Sequence, residues 1–199
     1  MNISIAVPTN RGIQPKMLES LLELLAVTEH QINIIVAEEG YTIAENRNYC
    51  AIQALNAKSD FLLFVDDDMT FEPGTLDKLV ANNKDICGVA YHPRCGADRL
   101  KWLDETHHIN LETNNDPKYK DVFECHATGT GIVLIKCDIL YKIPRPWFMF
   151  DYFDDPDDPN AGQTKKGEDW WFCEKAKDHG FKTWTDPTIK VGHLGEKIY

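Results

Sequence analysis

The amino-acid sequence predicts an α/β fold, a single domain over residues 1–199 with a mostly parallel central sheet flanked by helices. Three short runs of β-branched and other apolar residues, at 3–7, 32–37 and 61–65, read as strands buried on both faces. Between them lie two segments with helical spacing, at 15–27 and from Thr42 onward. A β-α-β-α-β order closes most readily as a doubly wound parallel sheet with right-handed crossovers. A length of 199 residues suits one hydrophobic core.

Each element has a local signal. The run 3–7 ends at Pro8 and opens into the loop 9–14. Pro15 stands where a first helical turn tolerates proline, and Leu18, Leu21, Leu22 and Leu25 follow at the spacing of one helix face. After the second run come Glu38-Glu39-Gly40 and then Thr42-x-x-Glu45, the form of a capping box. Along that helix Ala44, Ala51, Ile52 and Leu55 are expected to face the core, with Asn46, Arg47 and Asn48 in the early turns near the strand ends. In the second half, 86–91 and 131–136 are strand candidates, and 168–179 reads as a helix stopped by Gly180. The stretches 100–124 and 151–166 are polar and rich in turn residues, and both are expected to be mobile loops.

The chain carries 32 Asp and Glu against 21 Lys and Arg, a formal charge of -11, which disfavours nucleic acid or an anionic membrane as partner. A phosphate-bearing ligand in so acidic a chain calls for a divalent cation to offset its charge. The 6 cysteines are scattered without a CxxC pair, and the chain opens straight into a strand with no apolar signal region. The expectation is a reduced, cytoplasmic protein whose cysteines are small buried apolar residues. Cys125 and His126, adjacent in the chain, do not suit a shared zinc ion. The longest apolar runs are too short to form an integral membrane segment. Oligomeric state has no signal in the sequence.

The sharpest chemical signal is Asp66-Asp67-Asp68, placed where the third strand ends. Turns and helix caps use single aspartates, whereas three adjacent carboxylates repel one another unless a cation offsets them. In an open α/β sheet ligands bind at the carboxyl ends of strands. In extended backbone Asp66 and Asp68 point the same way, so they converge on one hard cation, Mg2+ or Mn2+, able to bridge the phosphates of a nucleotide.

With this motif the chain resembles the GT-A glycosyltransferases, a Rossmann-like group, and in particular their large family 2 type. The resemblance covers most of the sequence and implies a role for each segment. Asp68 would ligate the metal directly, with Asp66 as second ligand and Asp66 or Asp67 contacting ribose or metal-bound water. Pro8 and Thr9 match the family's opening strand beside the nucleotide, and Glu38-Glu39 stands where an Asp pair usually recognises the base. Arg47, in a segment like the family's Ala-Arg-Asn helix start, becomes a nucleotide contact. The loop through Gly129 and Thr130 resembles the small-residue loop under donor sugar and acceptor. In Glu168-Asp169 the aspartate is the candidate base for the acceptor hydroxyl and the glutamate its partner. Trp170 and Trp171 lie about 100 degrees apart on the helix, so one of them lines the cleft while the other packs. His193 matches by order the family's late metal-binding histidine, a ligand that suits Mn2+ better than Mg2+.

The implied activity is transfer of a sugar from a nucleoside-diphosphate sugar, UDP or GDP, to an acceptor hydroxyl on a saccharide, protein or small molecule. Residues to about 95 would form the nucleotide-sugar-binding half and those from about 96 the acceptor-side half. A nucleotidyltransferase making sugar nucleotides is the first alternative, although Thr9-Asn10-Arg11-Gly12 lacks the expected Gly-rich phosphate loop. A non-catalytic sugar-nucleotide-binding module would not need Asp68, Asp169 and His193 together, and an acidic two-metal nuclease lacks a basic track for its strand.

Overall fold

The structure, a computed structural model, describes residues 1–38, 40, 42–91, 102–104, 107–108 and 117–195. Along the chain run β1 (Asn2–Pro8), α1 (Pro15–Val27), β2 (Gln31–Ala37), α2 (Ile43–Asn56), β3 (Phe61–Val65), β4 (Met69–Phe71), α3 (Thr75–Ala81) and β5 (Ile86–Val89). There follow β6 (Trp102–Asp104), β7 (His107–His108), a 3-10 turn at Pro117–Lys120, β8 (Phe123–Cys125), β9 (Ala127–Thr128), β10 (Ile132–Lys136) and α4 (Cys137–Lys142). The chain ends with β11 (Asp151–Tyr152), β12 (Thr164–Lys166), α5 (Glu168–Asp178), β13 (Thr183–Asp186) and β14 (Val191–His193).

Seven strands make the central sheet in the order β2-β1-β3-β10-β5-β13-β8. β1 is parallel to both β2 and β3 in the predicted doubly wound arrangement. β10 runs antiparallel between β3 and β5, β13 is parallel to β5, and β8 closes the edge antiparallel to β13. The sheet is therefore mostly parallel, interrupted by β10 and ended by β8.

The runs of β1 and β3 are buried on both faces because the sheet is covered on both sides there, whereas β2, expected to be buried likewise, is the edge strand and leaves Ile34 and Val36 exposed. Ile3, Ile5 and Val7 pack with Met17, Leu21 and Leu24 of α1 on one face. Ala6, Leu62 and Phe64 pack on the other with Ala51 and Ala54 of α2 and Phe172 of α5. α1 presents a different stripe from the one its leucines suggest. Met17, Ser20, Leu21 and Leu24 are buried, while Leu18 and Leu22 are 43% and 56% exposed. Apolar residues on more than one side of that helix leave spacing alone unable to choose the face.

The capping box is present with both of its bonds, Thr42 Oγ1 accepting from the Glu45 amide and the Glu45 carboxylate accepting from the Thr42 amide. α5 gives way at Gly180, whose φ of +85 suits a residue without a Cβ. The two stretches read as loops carry structure of their own. Within 100–124 the described residues include β6, β7, the 3-10 turn and β8, and the ends of 151–166 pair as the β11–β12 ribbon. Five cysteines, Cys50, Cys87, Cys125, Cys137 and Cys173, are buried free thiols, and Cys95 lies outside the described residues. Burial pushes the thiols of Cys50, Cys87 and Cys137 up to about 12, which keeps them protonated and unreactive.

Candidate active site

The carboxyl ends of β1, β2 and β3 meet at one edge of the sheet, since Pro8 stands opposite Ala37 and the Thr9 amide donates to the Ala37 carbonyl at 2.8 Å. Asn46 ties the two following loops together. Its Nδ2 donates to the Thr9 carbonyl at 3.1 Å and to Asn10 Oδ1 at 2.8 Å, and its Oδ1 accepts from the Gly40 amide at 2.8 Å. Two cavities open here. One of about 310 Å³ is lined by residues that include Pro8, Thr9, Arg11, Asp66 and Asp67. The other, of about 430 Å³, is bordered by Glu38, Gly40, Asn46 and the half-exposed Tyr49 ring. Glu39, its expected neighbour in base recognition, lies outside the described residues.

The acidic triplet is a turn rather than extended backbone. β3 stops at Val65, and the Met69 amide reaches back to the Asp66 carbonyl at 3.2 Å. Asp66 consequently turns toward Arg47 while Asp67 and Asp68 share Arg11, which corrects the expectation that Asp66 and Asp68 face the same way. Asp66 Oδ1 accepts from Arg47 Nη2 at 2.7 Å. Asp67 accepts from the Thr9 hydroxyl at 2.5 Å and from Arg11 Nη2 at 2.9 Å. Asp68, fully buried, takes Arg11 Nη2 on Oδ2 at 2.9 Å.

His193 arrives at Asp68 through a short ribbon. β14 pairs antiparallel with β4, placing His193 opposite Met69, and the Leu194 amide donates to the Asp68 carbonyl at 2.8 Å. His193 Nε2 then lies 3.3 Å from Asp68 Oδ2, and the imidazole and the Tyr91 ring meet at nearly a right angle, 5.5 Å between centroids. An oxygen and a nitrogen donor aimed at one place fit a borderline divalent cation. Among the described residues no group of three or more His, Cys, Asp or Glu side chains could hold a metal ion, so a cation held by this pair would need further ligands from phosphate oxygens and water.

Arg47 is not placed to meet a ligand directly. It is 2% exposed, and its Nε donates to Glu168 Oε1 at 3.2 Å while Nη2 holds Asp66. Its guanidinium also lies over the Phe64 ring, 5.4 Å from the centroid. Burial opposes its charge, and the carboxylates of Asp66 and Glu168 outweigh that cost and raise its pKa. Burial raises the Asp66 carboxyl, with Arg47 pulling the other way. Arg47 thus joins the acid at the end of β3 to the acid that opens α5.

Gly129 and Thr130 also differ from expectation. A Cβ on Gly129 would lie 2.2 Å from the Tyr91 hydroxyl, so the space over this glycine belongs to the protein's own ring, and Thr130 is buried with its carbonyl toward Arg47. The Tyr91 hydroxyl accepts from the Gly131 amide at 3.0 Å, and burial raises the phenol well above its ordinary range with Asp66 and Asp169 nearby. Tyr91 and Arg11 are the site residues that sequence reasoning passed over. A lone tyrosine at a strand end and one arginine in a turn give no local signal.

At α5, Asp169 Oδ1 accepts from the Trp170 amide at 2.8 Å. Trp170 is the packed member of the tryptophan pair, its indole donating to Glu174 Oε1 at 2.9 Å and its ring joining the core. The partly exposed Trp171 has a buried indole N–H without a hydrogen-bond partner among the described residues.

The profile named "Glycosyl transferase family 2" matches residues 13–140, well over half of the chain. The chain belongs to glycosyl transferase family 2. The matched segment contains Arg47 and the acidic triplet and stops before Glu168, Asp169 and His193. Solved structures show that this family 2 chain has the GT-A fold. A197 from STIV is 19% identical with a TM-score of 0.68, over 98% of this chain and 86% of that one. GalNAc-T7, solved with UDP, GalNAc and Mn2+, is 13% identical with a TM-score of 0.63, over 99% of this chain and 44% of its own. TarS of S. aureus in complex with UDP-GlcNAc gives 15% and 0.55, over 100% of this chain and 60% of that fragment. The fold extends to a CMP:2-keto-3-deoxy-manno-octonic acid synthetase complexed with CTP, at 9% identity and a TM-score of 0.51 over 100% of this chain and 93% of the synthetase. A search of curated proteins gives no match. No described helix is long and apolar enough to cross a membrane.

Proposed function

We propose that this chain transfers a sugar from a nucleoside-diphosphate sugar, UDP- or GDP-linked, to an acceptor hydroxyl with the help of a divalent cation at Asp68 and His193. The observation that carries this reading is the meeting of those two side chains, 3.3 Å apart, at the carboxyl edge of the parallel strands, next to Asp66 and Asp67, which line the cavity of Pro8 and Thr9. The donor pair favours Mn2+ over Mg2+, which prefers oxygen alone. When bound, the cation neutralises charge on the departing diphosphate.

The base lies in the cavity of Glu38 and Tyr49, where the ring offers a stacking face and the carboxylate an acceptor for a base N–H. Pro8 and Thr9 border the adjoining cavity, which takes the phosphate side. Arg47 holds Glu168 in place behind Asp169. The acceptor oxygen forms its bond to the anomeric carbon as the bond from that carbon to the diphosphate oxygen breaks, and the leaving oxygen keeps the electron pair. The acceptor's proton passes to Asp169. Residues to about 95 serve the donor and the remainder, His193 apart, the acceptor, a saccharide, protein or small molecule, and the buried free thiols suit a reducing, cytoplasmic setting.

Calorimetric titration of UDP, GDP, CDP and UTP, each with and without Mn2+, on the wild type and Asp68→Ala tests the reading. One diphosphate should bind with Mn2+ and lose affinity without the metal or without the Asp68 carboxylate. Binding of the triphosphate alone would favour nucleotidyl transfer, and no binding of any nucleotide with metal present would refute the assignment.

A further inference from the structure

Arg11 stands in the loop after β1 and grips the last two acids of the triplet. Nη2 donates to Asp67 Oδ1 and Asp68 Oδ2, each at 2.9 Å, and Nε reaches Asp67 Oδ1 at 3.3 Å. Asp68 Oδ2 is also the oxygen 3.3 Å from His193 Nε2. A divalent cation seated between Asp68 and His193 would need that oxygen at about 2.0–2.6 Å. A guanidinium and a dication on one carboxylate oxygen repel each other, so the two occupations exclude one another.

Asp68 is the fixed member of the pair. Its side chain is 1% exposed, and its carbonyl is held by the Leu194 amide. The Arg11 side chain is 45% exposed and borders the cavity assigned to the phosphates. We propose that Arg11 is an exchangeable counter-ion for Asp68, one that withdraws when the metal binds and so sets the affinity of the site for divalent cations. This inference rests on the metal reading of Asp68 and His193 given above. Mn2+ by itself then binds weakly, because each binding event breaks the charge-assisted hydrogen bond from Arg11 to Asp68.

The test is a Mn2+ titration without nucleotide, read by the paramagnetic resonance signal of the free ion. It compares the wild type with Arg11→Ala, Arg11→Gln, Arg11→Lys and Asp68→Ala. Arg11→Ala and Arg11→Gln should bind Mn2+ roughly three- to tenfold more tightly than the wild type, with Arg11→Lys between, since it keeps the charge but loses the fork. Asp68→Ala should lose the binding. Melting in chelator supplies a second readout: Arg11→Ala should start lower than the wild type and gain more on adding Mn2+. Wild-type or weaker Mn2+ affinity in both neutral Arg11 variants, with binding still dependent on Asp68, would overturn the counter-ion and leave the metal site standing. If neither the wild type nor the Arg11 variants bind Mn2+, the metal reading fails and the counter-ion fails with it.

Discussion

At the scale of single residues, the site is held by charges that the chain supplies to itself. Arg47 is the clearest case, because its guanidinium is buried and engaged by Asp66 and Glu168. Arg47→Met would strand two carboxylates in a low-dielectric setting and should cost about 3 kcal/mol in a urea melt. Arg47→Lys should recover only part of this, since a point charge does not reproduce the fork. A full rescue by lysine would show that charge alone matters. Gly129 carries a second test. Gly129→Ala drives a methyl into Tyr91 and should destabilise by about 1–3 kcal/mol. Adding Tyr91→Phe removes the nearest atom, so the double variant should lose less than the two single effects combined, and strict additivity would mean the contact is relieved elsewhere. None of this was legible beforehand. Arg47 reads as a helix arginine near a strand end, and its partners stand 19 and 121 positions away in the chain.

Elements were legible where their causes are local. The Thr42 to Glu45 box spans one turn, and both of its bonds form. Thr42→Ala should therefore cost about 1 kcal/mol, read in the same urea melts, while Thr42→Ser should cost much less. The strand 61–65 was plain for the same reason, with apolar side chains needed on both faces at once, whereas the equally apolar run 32–37 forms the edge strand and leaves Ile34 and Val36 exposed. The face of α1 and the β14–β4 ribbon were not, because each depends on what arrives from elsewhere in the chain. So does the anchor of the β11–β12 ribbon. Glu174 on α5 accepts from Lys166 of β12, from Trp170 and from His126. Burial tends to raise its carboxyl, and the bonds from Lys166 and His126 outweigh burial and hold it below the ordinary carboxylate range. An acid depressed in the folded state adds stability above its unfolded value, near pH 4.3, and loses it as pH falls through the folded value. Amide exchange at 164–166, corrected for intrinsic rate, should stay flat above pH 5 and accelerate below about pH 4. Glu174→Gln should raise the neutral-pH exchange and flatten the acid limb, and an unchanged acid limb would place the anchor elsewhere.

For the whole molecule, one edge of the sheet collects Thr9, Glu38, Asp66 and the loop that leads into β10, while the last ribbon returns His193 to the same edge. The sequence placed the first three by strand order. It did not reveal that β10 enters antiparallel beside β3, bringing Gly131 to the Asp66 amide. The exposed, aspartate-rich hairpin 151–166 is joined to α5 directly before Glu168 and Asp169, so an event at the donor site has a short route to it. A nucleoside diphosphate with Mn2+ at one hundred times its dissociation constant should stabilise the fold by about 2.7 kcal/mol, since it binds the folded state alone. If the hairpin closes over the bound donor, protease cleavage within 151–166 should slow under the same conditions and in the same nucleotide order. Asp68→Ala separates the effects, because it should lose both the thermal gain and the protection while its hairpin without ligand is cut at the wild-type rate. A thermal gain with unchanged cleavage would leave the donor site intact and reduce the hairpin to a solvated loop anchored by Glu174.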